Sequence, residues 1–310
     1  MAASESKSPS AAAQCSICAG EMVVAMRGVL DPLTRERFSI LRCRGCGVGR
    51  TDPIPADLAP YYASYHGGRH GATVRFCLRR RMRLLCAAGS PPGRLLDIGC
   101  GDGSFLLTAR AEGWTVAGTE FNPQAARERG LNISESLDEL RADERFDCIT
   151  LWHSLEHLHE PVVVMQRVRQ LLAPGGTVLI AVPDSGGLQA RLFGRHWLHL
   201  DVPRHLYHYD RCSLESLLQA AGFRPCTWRH QEFEYDLLGW SQSALNSLLP
   251  TPNVFFQLLT GRKPACGAIE IAVNYALGAA LTAISVPLVT LGTALGRGGT
   301  LLARARPALE

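Results

Sequence analysis

Three groups of residues have types and spacings suited to chemistry. Cys15-Ser-Ile-Cys18 and Cys43-Arg-Gly-Cys46 form two Cys-x-x-Cys pairs separated by 24 residues, each with a glycine at or next to its end (Gly20, Gly47). Two such knuckles present four thiolates to one Zn2+, a closed tetrahedral site that leaves no position for substrate and so holds the fold rather than doing chemistry. The second group is Asp97-Ile-Gly99-Cys100-Gly101-Asp-Gly103, with the apolar residues Leu95, Leu96 and Ile98 as a strand entering it and Phe105-Leu-Leu starting a helix after it. Glycines in a strand–turn–helix junction let a ligand approach the backbone, and the helix start offers free N–H groups to it. Glu120, closing the next strand, is placed to accept ribose hydroxyl protons. The third group lies in 195–209, with histidines at 196, 199, 205 and 208 beside Tyr207 and Tyr209. A histidine is the natural general base near neutral pH. The expected catalytic residues are His205 first, then His153, with Tyr207 or His208 behind, while Arg204 is placed to pair with an acceptor phosphate or carboxylate. The other reading of this loop is a lid whose histidines bond the backbone.

The Asp-x-Gly-x-Gly-x-Gly order of 97–103 resembles motif I of the class I S-adenosylmethionine (SAM) methyltransferases and lacks the Gly-x-Gly-x-x-Gly spacing of a nicotinamide site. The resemblance implies SAM as cofactor, held by Asp97, Gly99, Cys100, Gly101, Gly103, Glu120, Phe121 and Trp152. Phe146 to Leu158 is similar to the strand-four motif of small-molecule methyltransferases, including the quinone-biosynthesis O-methyltransferases, where Glu-x-x-Glu-His is linked to a divalent metal. Here His153 stands at the first glutamate position, while Glu156 and His157 remain. Either these three bind a metal, or Glu156 and His157 cap and pack a helix while Trp152 and His153 contact SAM or the acceptor. The stretch from Cys43 through Tyr62 and the segment Pro203-Arg-His-Leu206 resemble a bacterial family, methyltransferase type 23-like, in which a zinc ribbon precedes the catalytic domain. That family implies that Tyr61, Tyr62 and Tyr65 cover the SAM or acceptor pocket. Aromatic packing of a linker on the domain is the other reading.

These residues need a scaffold. Strand and helix patterns alternate from 94 to 183, with prolines at helix starts (Pro123, Pro161) and Pro174-Gly-Gly turning into the fifth strand. This predicts an α/β fold, a Rossmann-like, seven-stranded doubly wound sheet, with ligands beyond the carboxyl ends of its strands. The sixth strand falls at 223–233 and the seventh, antiparallel beside it, at 299–306. The expected organisation is a disordered tail (1–13), a zinc ribbon (14–50) containing a small hairpin, a linker and basic amphipathic helix (51–90), and a SAM-binding domain (91–236). An apolar helical insert (237–297) and the final strand of the sheet (298–310) complete it.

Composition narrows the class. The 310 residues are 46% hydrophobic, with 32 basic and 28 acidic residues, a net charge of +4. That balance, without an aromatic–basic module, argues against a nucleic-acid partner and so against a zinc-ribbon RNA methyltransferase. The 11 cysteines, four clustered and seven scattered, suit a reducing, cytoplasmic setting, and residues 1–13 contain no secretion signal. The arginines at 75, 79, 80, 81 and 83 either solvate a helix face or meet an acidic surface or phosphorylated substrate. Residues 271–296 carry no formal charge, a length sufficient to span a bilayer. A single span would separate the final strand from its sheet. The segment is therefore expected to pack as helices on the domain or to dip into one leaflet and return, broken at Gly278, Pro287 and Gly292. Peripheral membrane contact through 268–296, a homodimer interface and a buried cap are the alternatives. The expected activity is methyl transfer from SAM to an oxygen or carbon of a small-molecule, sugar or lipid-linked acceptor. An idle methyltransferase-like scaffold is the alternative from another class, and the complete set Asp97, Gly99, Gly101 and Glu120 speaks against it.

Overall fold

The computed structural model describes residues 14–62 and 73–308. The expected tail 1–13 and Tyr65 lie outside the described residues. The alternating apolar residues of the first segment form β1 (Met22–Leu30) and β2 (Arg37–Cys43), an antiparallel hairpin. Its connection is closed by Asp31, whose carboxylate accepts from the backbone N–H groups of Leu33 and Thr34. β3 (Gly49–Asp52) extends the sheet, and its fourth strand comes from far away in sequence, the two-residue β9 (Tyr207–His208). The proline-rich linker then reaches the short α1 (Ala59–Tyr62), and α2 (Val74–Ala88) is the basic helix.

The central sheet begins at β4 (Arg94–Ile98), followed by α3 (Ser104–Ala111), β5 (Thr115–Thr119), α4 (Gln124–Arg127) and β6 (Ile133–Ser134). β7 (Phe146–Trp152), α5 (Pro161–Leu171), β8 (Leu172–Pro183) and α6 (Leu188–Phe193) come next. After β9, α7 (Arg211–Ala220) opens on a capping box between Asp210 and Ser213 and leads to β10 (Phe223–Arg229). Then come α8 (Phe233–Leu248), α9 (Val254–Leu259), α10 (Ala268–Ala294) and β11 (Thr300–Pro307). The strand order is β10-β11-β8-β7-β4-β5-β6, with β11 antiparallel to both neighbours and the other adjacent pairs parallel. This is the expected seven-stranded, doubly wound sheet.

Its apolar runs are buried on both faces, as a parallel sheet with helices on either side requires. Along β8, Val178, Ile180 and Val182 pack with Met165 of α5 and Leu217 of α7, while Leu179 and Ala181 pack with Leu85 of α2 and Phe105 of α3. The first of these cores continues into the N-terminal sheet through Leu41, Val48, Leu206 and Tyr207.

Two expectations on the C-terminal part change. α8 begins at Phe233, so the helical insert starts a few residues before the expected 237. The apolar segment is one unbroken helix of 27 residues. Gly278 serves close packing instead of a break, because a Cβ there would lie 2.6 Å from the Phe255 ring. Pro287 removes one ladder hydrogen bond, but the helix packs along α8 and stays continuous.

Candidate functional site

The carboxyl ends of β4, β7 and β8 open on a cavity of about 460 Å³ lined by Asp97, Gly99, Cys100, Gly101, Trp152, His153, Glu156, His157 and His205, among others. Sequence positions more than a hundred residues apart therefore meet, as the crevice beyond the strand ends predicts. Asp97 is buried, accepts from the Thr150 hydroxyl at 2.6 Å, and burial pushes its carboxyl up to about 7. Gly99 turns at φ +73° directly above Ser154, where a Cβ would sit 2.6 Å from the serine Cβ. Gly101 also has positive φ, and a Cβ there would meet nothing within 4 Å, so its backbone faces open space. Its N–H donates to Glu120 Oε2 at 2.8 Å, which places the carboxylate of the second strand on the glycine turn. Trp152 stands edge-on to Phe105 under the Arg81 guanidinium, and its indole N–H is buried without a hydrogen-bond partner.

Three of the expected cofactor residues do not line the cavity, and of these Glu120 reaches it only through its bond to the Gly101 N–H. Phe121 is 82% exposed and does not line the cavity, because the turn after β5 points it to solvent. Gly103 is the N-cap of α3 at φ +73°, and a Cβ there would lie 2.2 Å from Leu131. It serves packing of the helix start, not the cavity wall.

The histidines sort by their partners. His205 Nδ1 lies 2.9 Å from the His199 carbonyl, a group that only accepts, so Nδ1 donates to it and Nε2 is the ring atom left to face the cavity. That Nε2 lies 3.9 Å from both Glu156 Oε1 and Asp201 Oδ2. His153 also faces the cavity, at φ +54°, stacked on Tyr235 with 4.3 Å between centroids and bonded to Glu232. Burial alone would lower its pKa, but Glu232 and Glu156 outweigh it and lift it to about 9. His153 therefore holds its proton at neutral pH and is a cation rather than a base. Burial holds His157 down to about 4.

Tyr207 belongs to a different place. Its ring is buried in the N-terminal sheet and its hydroxyl donates to the His159 carbonyl, because pairing of β9 with β3 turns it away from the cavity. His208 is likewise buried on Thr51, and burial lowers it to about 3. Arg204 is 1% exposed and bridges Asp31 at 3.0 Å and Asp201 at 2.6 Å, so it ties the loop to the hairpin and is not free for an acceptor anion. Tyr61 packs on Phe38 of the hairpin, whereas Tyr62 donates to His157 or accepts from it at 2.9 Å, beside the cavity.

Glu156 is buried, its two oxygens have no hydrogen-bond partner, and the neighbouring His153 cation holds it down to about 2 against burial. Donor atoms of Glu156, His157 and His205 lie within 4.8 Å of one another and could hold a cation. The expected trio with His153 does not converge, because His153 is drawn to Glu232. Sequence reasoning missed Glu232, Tyr235 and Asp201, and grouped Arg81 with the arginines expected to solvate a helix face or meet an acidic surface or phosphorylated substrate, whereas it lies over the Trp152 ring. The first two follow β10, where no motif marks them. Asp201 carried a signal in its position before Pro203-Arg204-His205.

The four cysteines meet as expected. Cys15 and Cys46 sulfurs are 3.6 Å apart, Cys18 and Cys43 are 3.4 Å apart, and all four lie within 4.8 Å. Tetrahedral ligands at about 2.3 Å from a metal are ~3.8 Å apart, so the cluster fits one ion. The N–H groups of Ile17 and Gly45 point at Cys15 and Cys43 sulfur, and Gly20 comes so close that a Cβ would stand 3.0 Å from Cys43 Sγ. These features fit a zinc ribbon.

Residues 68–227, just over half of the chain, match the family model described as a methyltransferase domain. The chain belongs to this methyltransferase family. Among similar proteins is the ubiquinone biosynthesis O-methyltransferase of Cereibacter sphaeroides, 26% identical over 167 residues, which are 48% of this chain and 68% of that protein. The protein of the same description from Xanthomonas campestris is 26% identical over 144 residues, 42% of this chain and 60% of its own. A solved Galdieria sulphuraria structure assigned as a methyltransferase is 14% identical, with 80% of this chain and 97% of that one covered and a TM-score of 0.50, and it shows the fold alone. The methyltransferase family and the cavity at the strand ends together make this a class I SAM-dependent enzyme. The cavity fits the cofactor: an open glycine backbone at Gly101, a carboxylate on each side of the turn and an unpartnered indole N–H are what a polar, nucleoside-sized group would engage.

Proposed function

We propose that this enzyme methylates a hydroxyl oxygen of a small-molecule acceptor, with His205 as general base. The observation that carries the reading is the placement of His205 Nε2 in the wall of the cavity that Gly99 and Gly101 also line, with Glu156 and Asp201 each 3.9 Å away to stabilise an imidazolium once a proton is taken. The curated relatives named as O-methyltransferases support oxygen over carbon. When bound, SAM supplies a methyl group already activated by its sulfonium, so the protein's tasks are alignment and proton removal. Asp97, Gly99, Gly101, Glu120 and Trp152 would hold the cofactor. His205 Nε2 takes the acceptor proton as the bond forms, and Glu156 and Asp201 stabilise the imidazolium. The cation at His153 balances the Glu156 carboxylate on the other side. Tyr235 and Leu238 of α8 with Phe256 of α9 give the acceptor an apolar wall. Zinc in the four-cysteine cluster is structural in this reading, and it holds β3, whose Thr51 hydroxyl donates to the His205 carbonyl at 2.6 Å.

The test is transfer of labelled methyl from SAM to a panel of hydroxylated aromatic acceptors by wild type and His205→Gln. SAM affinity should be unchanged in the variant, while turnover falls about 10²–10⁴-fold, the usual contribution of a general base. Full turnover in His205→Gln would sink the assignment.

A further inference from the structure

The surface most at odds with a water-soluble protein is α10. Its buried positions, Asn274, Gly278, Ser285, Val289 and Gly292, form one stripe that faces the domain, and that stripe is mostly polar or small. The outward side is apolar: Ile269 is 84% exposed, Ile284 61% and Leu291 51%, with Tyr275, Leu277, Val286 and Leu295 exposed beside them. The helix is inverted relative to an ordinary surface helix, whose polar face meets water. The buried stripe runs from 274 to 292, so the helix lies flat on the domain, against α8 and α9, over about 27 Å and does not cross a bilayer.

We infer that the outward face of α10 seats on an anionic lipid bilayer, with the helix parallel to the membrane plane. Charge decides between this and an aqueous protein partner. From 249 to 297 the only acidic residue is Glu270, which accepts from the Thr251 N–H, while Arg262, Lys263 and Arg297 flank the helix at both ends. Cations at the ends of an uncharged apolar strip match anionic headgroups around an acyl region. The next basic surface adjoins the same module: Arg80 of α2 binds Glu232 and Glu234 at the start of α8, and Arg75, Arg79 and Arg83 remain exposed on α2. The module also forms one wall of the cavity, through Leu238 of α8 and Phe256 of α9. A seated enzyme would thus hold its methyl-transfer cavity beside the lipid phase.

The experiment is flotation of the full metal-loaded chain with vesicles of phosphatidylcholine alone or mixed with phosphatidylglycerol. The variants are Ile284→Glu, Leu291→Glu and the charge reversals Arg262→Glu with Lys263→Glu. Each changes an outward or flanking side chain, and circular dichroism with SAM titration confirms that the fold and cofactor site survive. Wild type should float with the mixed vesicles and less with phosphatidylcholine. Each glutamate in the apolar strip should weaken partition about tenfold or more, and the charge reversals should abolish the preference for phosphatidylglycerol. Wild type that stays in solution with every vesicle would overturn the inference, as would partition unchanged in the variants. Sedimentation showing a dimer that Ile284→Glu dissociates, with no flotation, would assign the face to a second copy instead. Because SAM binding is read separately, loss of flotation and failure of the methyl-transfer reading are distinguishable.

Discussion

The N-terminal ribbon and the C-terminal helices α8–α10 are both additions to the same sheet, and both reach the same cavity by opposite means. The ribbon is too small to bury a core of its own and is held by four thiolates and a network of polar links. Thr51 bonds the backbone of His205, Arg204 is clamped between Asp31 and Asp201, and β3 pairs with β9. The helical module has polar links too, Glu232 to His153 and Arg80, and Asp236 to Thr300 and Gln189, but it carries no metal cluster among the described residues. It gives the cavity an apolar wall through Leu238 and Phe256. The comparison teaches that one addition fixes the position of a reacting side chain, while the other shapes what may lie beside it.

The largest effect expected from breaking this contrast is metal removal. Cys43→Ser or a chelator should unfold the ribbon, since metal binding and folding are one equilibrium in such modules. SAM binding to the sheet should persist while methyl transfer falls sharply, because the His205 loop loses β3. Calorimetry with SAM and a turnover assay separate the two. Next, Arg204→Ala leaves the buried Asp31 carboxylate without its counter-ion and should cost about 3–5 kcal/mol in urea unfolding. On the other side, Gly278→Leu drives a side chain into the Phe255 ring and should cost about 1–3 kcal/mol without altering the ribbon's thiolate chemistry.

A smaller effect is pH dependence at the junction of the two regions. His153 is raised from 6.5 to about 9 by Glu232 and Glu156 against burial. Its folded pKa lies above its unfolded value, so its stabilisation is full below about 6.5 and is lost as pH rises through about 9. Thermal unfolding of His153→Gln should therefore show a weaker decline between those values than wild type. Smallest of all, Ile284→Gln on the outward face of α10 should change unfolding free energy in solution by no more than about 0.5 kcal/mol.

What was legible in the sequence was local. The Cys-x-x-Cys pairs, the strand ending in Asp97, the glycine turn and the final antiparallel strand each carry their signal within a dozen residues, and the structure places them as read. Residue roles that depend on distant pairing were not legible. Tyr207 looked catalytic by its neighbours, yet a two-residue pairing with β3 buries it. Arg204 looked available, yet Asp31, far back in the hairpin turn, claims it. Glu232 had no motif, and only the packing of α8 brings it to His153. The unbroken helix α10 was hidden because glycine and proline signal a break locally, whereas contact with Phe255 and α8 decides otherwise.

The most direct test of the central claim is calorimetric titration of SAM into the metal-loaded wild type and into Gly101→Leu. Gly101 turns at positive φ and faces open space in the cavity, so a leucine there both strains the glycine turn and fills the space assigned to the cofactor. Saturable one-to-one binding by wild type, lost in Gly101→Leu while circular dichroism is unchanged, is the predicted result. No binding by the folded wild type, or equal affinity in the variant, would contradict the account.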